Sequence, residues 1–437
     1  MTAGPVLRTI LAFALPLTVA DVLQQGYLLV DSAVVGRYVG VDGLAAVGAA
    51  QPLFYLANAM FIGLATAFTI RFAHLKGGGQ SQSAPDVVRA LVLFCLAWTV
   101  VAVLLATLAA EPLLRLMGLH GVVLGHSVHF LRVLALAFPG LFGAGAVSAY
   151  LRGLGHSRAA MRLQALGSVT NLLLAWLLVG PARMGVGGAA LATACGGTLS
   201  LVVGVVHTAR RYPVGGRPTR EGARSELRGA VRLGFPIAIQ HNVLAVGIMA
   251  LVWVVAPLGP SVLAAFTVVG RLELFASLFF LDLSAALTTF VAQNLGAGRD
   301  LRVQRGLSSA VGLTVGLTVV LSAVLVLERT GVASLFTRDA HTAALTADYI
   351  AITYPFFVLY TVMVVIHGCF NGAGRTVLPL ICTVLAFVLV QLPCAYLFRG
   401  AFGVDGVIWS VVPSWSVGLV FTAASARTFF LARPAGT

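Results

Sequence analysis

The sequence predicts an all-α polytopic membrane protein, with twelve transmembrane helices in two six-helix bundles related by a pseudo-two-fold axis along the membrane normal. Three observations predict it. Of 437 residues, 59% are hydrophobic and 10% charged, with a mean hydropathy of +0.98, whereas a soluble domain carries roughly 25% charged residues. The apolar residues fall in runs long enough to span a bilayer, which takes about 20 residues each. The two halves of the chain also repeat one another at a constant offset.

Apolar runs separated by Gly, Pro and Arg clusters predict helices near 9–35, 43–73, 88–110, 124–150, 163–181 and 187–208, then 231–257, 261–292, 306–328, 342–370, 378–398 and 404–431. The first run follows Arg8 and passes Pro16 and Asp21 without a small-residue cleavage site, so it reads as a retained helix and not a signal peptide, with the chain expected to be complete from Met1. Leu, Val, Ala and Gly dominate the runs, and small residues let helices approach closely where lipid provides no hydrophobic drive between them. The most polar segment, RRYPVGGRPTREGARSELRG (Arg210–Gly229), falls at mid-chain and reads as a solvated cytoplasmic linker. The expected organisation is therefore an amino-terminal bundle over 1–208, a linker over 209–229 and a carboxy-terminal bundle over 230–437.

Charge sets the orientation. With the amino terminus inside, 20 basic residues fall on the inner side, Arg433 among them, and 6 on the outer side, with Arg132 and Arg271 within spans. The positive-inside rule then puts both termini in the cytoplasm of a multi-pass protein of the plasma (inner) membrane. The net charge of +14 comes almost entirely from dispersed arginines without a basic tail, which excludes a nucleic-acid partner. The five cysteines lie in or beside apolar runs without a CxxC pair, so neither a disulfide nor a metal site is implied.

The repeat pairs ALPLTVADVL at Ala14 with GFPIAIQHNV at Gly234, aligning Pro16 with Pro236, and GLAAVGAA at Gly43 with VLAAFTVV at Val262. Gly77 and Gly79 of LKGGG meet Gly296 and Gly298 of LGAG, and LRGLG at Leu151 meets FNGAG at Phe370. The offset is 219 or 220 throughout. An even number of spans in each half returns both halves to the same side, as in parallel-repeat transporters.

An acid inside a span is costly and marks function by default. The acids well within spans are Asp21, Asp31, Glu273 and Asp282. On the first helix Gln24, Tyr27 and Asp31 are spaced i, i+3, i+7, and Asp21 lies about 60° from Gln24, so the four form one polar stripe. The eighth helix carries Glu273 and Asp282 nine residues apart, pointing about 180° from each other, so one of them is a cavity residue and the other structural. Arg271 has Glu273 or another acid as its potential partner. His241 in the seventh helix is a proton or substrate ligand or a satisfied bundle residue. Tyr27, Phe54, Trp253, Phe266, Tyr354 and Tyr360 either line a cation-binding chamber or serve lipid contact and helix packing. At offset 220 the residue matching Asp31 is Leu251, so the repeated scaffold does not need the acid in order to form.

Pro16, the run VDSAVVGRYVGVDGLAAVG (Val30–Gly48), MGVGGAALAT (Met184–Thr193), VAQNLGAGR (Val291–Arg299) and NGAGRTVLP (Asn371–Pro379) together resemble the multidrug and toxic compound extrusion (MATE) antiporters, over nearly the whole chain. The resemblance implies a secondary active antiporter that exports amphipathic, often cationic organic compounds in exchange for H+ or Na+ by alternating access. It also implies ion coupling at Asp31, and the polar stripe makes Asp21 the second candidate for that role. Some members use Asn followed four residues later by Asp in the fifth helix; here Asn171 is present, but the fourth residue on is Ala175. The candidate cavity residues are then Gln24, Tyr27, Asn171, His241, Glu273 and Asp282. The alternative is a lipid-linked precursor flippase of the same superfamily, which needs a cationic cavity; four span-embedded acids against two arginines oppose it. GxSxG, HExxH and Walker motifs are absent, which disfavours an integral-membrane enzyme and nucleotide-powered transport. No cofactor and no obligatory protein partner is implied beyond the bilayer, the small organic substrates and the coupling ion.

Overall fold

The computed structural model describes residues 1–431, apart from the side chains of Val41, Asp42, Leu44, Ser81 and Leu431. Arg433 and the end of the expected carboxy-terminal bundle lie outside the described residues. The long helices are α1 (Val6–Tyr38), α2 (Val41–Gly77), α3 (Ala84–Leu116), α4 (Gly121–Gly153), α5 (Ser157–Val179), α6 (Gly185–Arg211), α7 (Arg220–Leu258), α8 (Pro260–Gly296), α9 (Asp300–Leu327), α10 (Ala340–Gly372), α11 (Val377–Trp409) and α12 (Val411–Leu431). Among the described residues, eleven are long and apolar enough to cross a membrane. The last, α12, has 21 residues and a length of about 32 Å, a match for a hydrocarbon core of about 30 Å, and completes the expected twelve.

The repeat is visible in the backbone and its bonds. Thr69 Oγ1 donates to the carbonyl of Ala149 at 3.1 Å, and 219 residues on Thr288 Oγ1 donates to that of Gly368 at 3.0 Å. The turn closing α2 uses Gly79 at φ 67° and the turn closing α8 uses Gly298 at φ 68°, left-handed values that cost an L side chain energy. Both α4 and α10 tighten into one 3-10 turn, at Ala135–Ala137 and Tyr354–Phe356, again 219 residues apart.

By contacts the chain forms two compact units that do not divide at the linker. The first unit is Pro16–Ala238; the second is Met1–Leu15 together with the chain from Ile239 onward. Both divisions fall at or within three residues of the paired prolines, Pro16 and Pro236.

In the first unit, Phe61 stacks on Phe94 and Phe142, with centroids 5.7 and 4.6 Å apart, and Phe138 stacks on Phe142 at 5.3 Å. Helices α5 and α6 touch through glycine: a Cβ on Gly196 would stand 2.6 Å from the Gly167 carbonyl oxygen. The linker differs from the expected solvated loop, because α7 already begins at Arg220 and its opening turns belong to this unit. Two acid contacts hold it there. Asp86 accepts from the Thr219 backbone N–H at 2.6 Å, and Arg71 donates to both carboxylate oxygens of Glu226 at 2.7 and 2.6 Å. Gly63 and Ala238 then meet so closely that a Cβ on the glycine would lie 2.4 Å from the Ala238 Cα.

In the second unit, α8 and α10 pack along Ser284 and Thr288. Ser284 Oγ donates to the Val364 carbonyl at 2.8 Å, one turn before the Thr288 bond. The amino-terminal residues join this unit because the Met1 ammonium donates to Gln293 Oε1 at 3.0 Å and Arg302 donates to the Ala3 carbonyl at 3.0 Å.

Candidate functional site

In the first unit the polar stripe of α1 meets α5. Gln164 Nε2 donates to Asp21 Oδ1 at 2.9 Å and to Gln24 Oε1 at 2.6 Å. Seven residues beyond Gln24 comes Asp31, and seven beyond Gln164 comes Asn171, a rise of about 10 Å along each helix. As alternate crossings α1 and α5 run in the same sense, so Asp31 and Asn171 lie at similar levels. Asn171 Nδ2 donates to Thr193 Oγ1 of α6 at 2.9 Å, and that hydroxyl donates in turn to the Ala189 carbonyl at 3.1 Å. Ala175, one turn along α5, is buried. Tyr27 lies within electrostatic reach of Asp31.

Two acceptors in this constellation are short of a donor. Asp31 Oδ1 and Asn171 Oδ1 are both buried and accept no hydrogen bond. Buried polar atoms are nearly always satisfied, because an unpaired one costs about 1–3 kcal/mol, and more when charged.

The second unit holds another buried acid. Glu273 Oε1 on α8 accepts no hydrogen bond and lies within electrostatic reach of Tyr349 and Tyr354 on α10. Tyr349 also bounds a small apolar cavity with Val255, Val262, Ala265, Phe266 and Ile408. Asp282, nine residues further along α8, is buried at 6% exposure. Arg271 does not pair with Glu273: it is exposed and takes part in none of the three ion pairs among the described residues. Arg132 of α4 lies 3.8 Å from Glu111, which also binds Arg115 at 2.6 Å. Of the aromatic candidates, Phe54 stacks on Phe138 at 6.3 Å, Tyr354 is fully buried and Trp253 is 76% exposed.

Several participants escaped the sequence reading. Gln164 and Thr193 were not singled out, although Gln164 and Asn171 repeat on α5 the seven-residue spacing of Gln24 and Asp31. His241 is half-buried on α7, whereas the histidine that is bonded on both sides is His367 of α10. Its Nδ1 lies 3.5 Å from Gln240 Nε2 and its Nε2 lies 3.2 Å from Thr422 Oγ1, which in turn is 3.2 Å from Cys382 Sγ. Since an amide nitrogen only donates, Gln240 assigns the acceptor role to Nδ1 and the ring proton to Nε2.

The family description MatE matches the chain twice, over residues 16–177 and 236–397, segments that begin at the paired prolines. The probable multidrug resistance protein YoeA of Bacillus subtilis (strain 168) is 26% identical over 398 residues, covering 89% of this chain and 86% of the relative. YpnP of the same organism, also a probable multidrug resistance protein, is 24% identical over 435 residues, covering 99% and 96%. The probable multidrug resistance protein NorM of Thermotoga maritima is 23% identical, covering 89% and 85%. Among solved structures, the outward-facing conformation of a multidrug resistance MATE family transporter superposes with a TM-score of 0.91 at 22% identity, over 98% of this chain and 97% of that one. A MATE in the bent conformation gives 0.90 at 24% identity, over 98% and 96%. The chain belongs to the MatE family and is a multidrug and toxic compound extrusion transporter.

Proposed function

We propose that the chain is a secondary active antiporter of the plasma (inner) membrane, with both termini cytoplasmic, that exports amphipathic, cationic organic compounds in exchange for H+ or Na+ by alternating access. The observation that carries this reading is the buried Asp31 Oδ1, which lacks a donor in a helix whose repeat counterpart has Leu251 at that level. Asp31 is the ion switch. Neutral or cation-bound it is tolerated in the span, and bare it is costly, so its occupancy biases the conformational equilibrium. Asn171, held by Thr193, faces the same level and orients its free carbonyl toward the bound ion. Asp21 and Gln24, joined through Gln164, brace α1 against α5.

H+ is the ion proposed for the first test. With Ala175 four residues after Asn171, α5 adds no second carboxylate, and one monovalent ion, H+ or Na+, neutralises Asp31. In the second unit Glu273, beside Tyr349 and Tyr354, offers charge and ring faces to a cationic substrate. Asp282 and His241 are the secondary candidates there.

Export of a fluorescent organic cation from membrane vesicles, with proton and sodium gradients imposed separately, tests the reading. Wild type is expected to respond to the proton gradient and Asp31→Asn to lose that response. Full gradient-dependent export by Asp31→Asn refutes the switch, and export driven by sodium alone assigns the other ion.

A further inference from the structure

The opening of α7 carries four arginines, Arg220, Arg224, Arg228 and Arg232, at a strict four-residue spacing, and all four are exposed. Taking 100° per residue, they cover a sector about 120° wide on the helix. Ala223, Leu227, Ala230 and Gly234 form the face packed into the first unit, on another side of the helix. Glu226 lies on another side of the helix, with both carboxylate oxygens taken by Arg71, and Glu221, the acid that does fall within the sector, is exposed and makes no ion pair among the described residues. No acidic group lies within ion-pair distance of any of the four among the described residues.

The arginine sector continues directly into apolar surface. Val231 and Phe235 fall within its angular range and are 43% and 49% exposed. At 39 residues, α7 is about 58 Å long against a hydrocarbon core of about 30 Å, so its first turns project beyond the core. The row therefore runs from the headgroup level, at Arg232, outward to Arg220, about 18 Å further along the axis. Nor does the repeated fold require it: at offset 220 the counterparts of Arg224, Arg228 and Arg232 are Gly4, Arg8 and Ala12.

We propose that this row is a binding site for the headgroups of anionic phospholipids, with Val231 among the arginines and Phe235 seated against the acyl chains below. Positive charge without protein partners, stacked on exposed apolar side chains at the membrane boundary, is complementary to an anionic headgroup and its chains. The assignment to the cytoplasmic leaflet rests on the termini-inside reading proposed above; binding itself does not. Attraction decays over a Debye length of about 8 Å, so Arg232 and Arg228 contribute most and Arg220 least.

The full-length protein in neutral detergent, offered an equimolar mixture of phosphatidylglycerol and phosphatidylcholine, reports the preference as a ratio of lipid adducts in native mass spectrometry. Wild type is expected to retain phosphatidylglycerol preferentially. At about fivefold per arginine, R228Q/R232Q lowers the ratio by at least fivefold, R220Q changes it less than twofold, and R228K/R232K keeps it. R329Q/R338Q, which removes the same charge from the other side, leaves the ratio unchanged. The proposal is overturned if wild type shows no preference, if R228Q/R232Q keeps the wild-type ratio, or if R329Q/R338Q lowers it equally. Should R228Q/R232Q fail to fold, R224Q makes the same comparison, and an unchanged ratio there also overturns it. Both ions could fail to drive transport and these ratios would still stand.

Discussion

Gly368→Ala is expected to separate α8 from α10. A Cβ at position 368 would stand 2.3 Å from the Ser284 carbonyl oxygen and 2.9 Å from its carbon, backbone atoms that cannot swing aside. Ordinary contact starts at 3.4 Å, so the helices must part by about 1 Å. Thr288 Oγ1, now 3.0 Å from the Gly368 carbonyl, then leaves hydrogen-bonding range, and the 2.8 Å bond from Ser284 to Val364 stretches toward its limit. Overpacking of about 1–3 kcal/mol and about 1 kcal/mol for the lost bond add to roughly 2–4 kcal/mol. Thermal unfolding in detergent should show Tm falling by about 2–4 °C. The repeat provides an internal comparison: Ala149 stands 219 residues earlier with the same bond from Thr69, and Ala149→Gly should cost only about 0.5–1 kcal/mol, the helix propensity difference. A Gly368→Ala protein that melts with wild type, or an Ala149→Gly protein that loses as much, would show that the close approach does not set the packing here.

Gln164→Leu removes the donor shared by Asp21 and Gln24 and should reduce the export rate severalfold in the vesicle assay, with Gln164→Glu no better because it supplies an acceptor where a donor is needed. Asn171→Leu should abolish gradient-driven export while the protein still folds, since Thr193 keeps its bond to Ala189; retained export would remove Asn171 from the ion site. Glu226→Gln keeps one acceptor for the half-buried Arg71, and should destabilise by about 1 kcal/mol, read as a small drop in Tm. Asp339, outside the spans, accepts from the Thr342 hydroxyl at 2.6 Å and backbone N–H at 2.8 Å, bonds that hold its carboxyl below the usual carboxylate range. Its stabilising contribution is therefore present above the unfolded-state value and lost as pH falls through the folded-state value; the Tm gap between wild type and Asp339→Ala should close on acidification, and a constant gap would contradict the cap.

The twelve helices were legible because lipid imposes one rule, an apolar run of spanning length, and each run obeys it. The start of α7 was not. Arg220, Glu221, Arg224, Glu226 and Arg228 read as solvated polarity, yet the buried side of that segment consists of residues as small as Ala223, Ala230 and Gly234, which leave little apolar periodicity to detect. What fixes the segment, Asp86 and Arg71, lies more than a hundred residues upstream. The same limit applied to the polar site. Spacing alone set Asp21 and Gln24 on one side of α1, while Gln164, to which both are bonded, is a neutral amide whose meaning depends on a neighbouring helix. The bonds of His367 were not legible because Gln240 and Thr422, its two partners, are distant in sequence.

The assignment of residues 1–15 to the second unit has a consequence for biosynthesis. At a synthesis rate of about 5–20 residues per second, the first helix emerges on the order of twenty to eighty seconds before the chain beyond Ile239 is finished. Its opening residues must therefore enter the membrane without their final neighbours, while the first unit can close as soon as Ala238 is made. The order of translation thus makes a segment made early among the last to find its place.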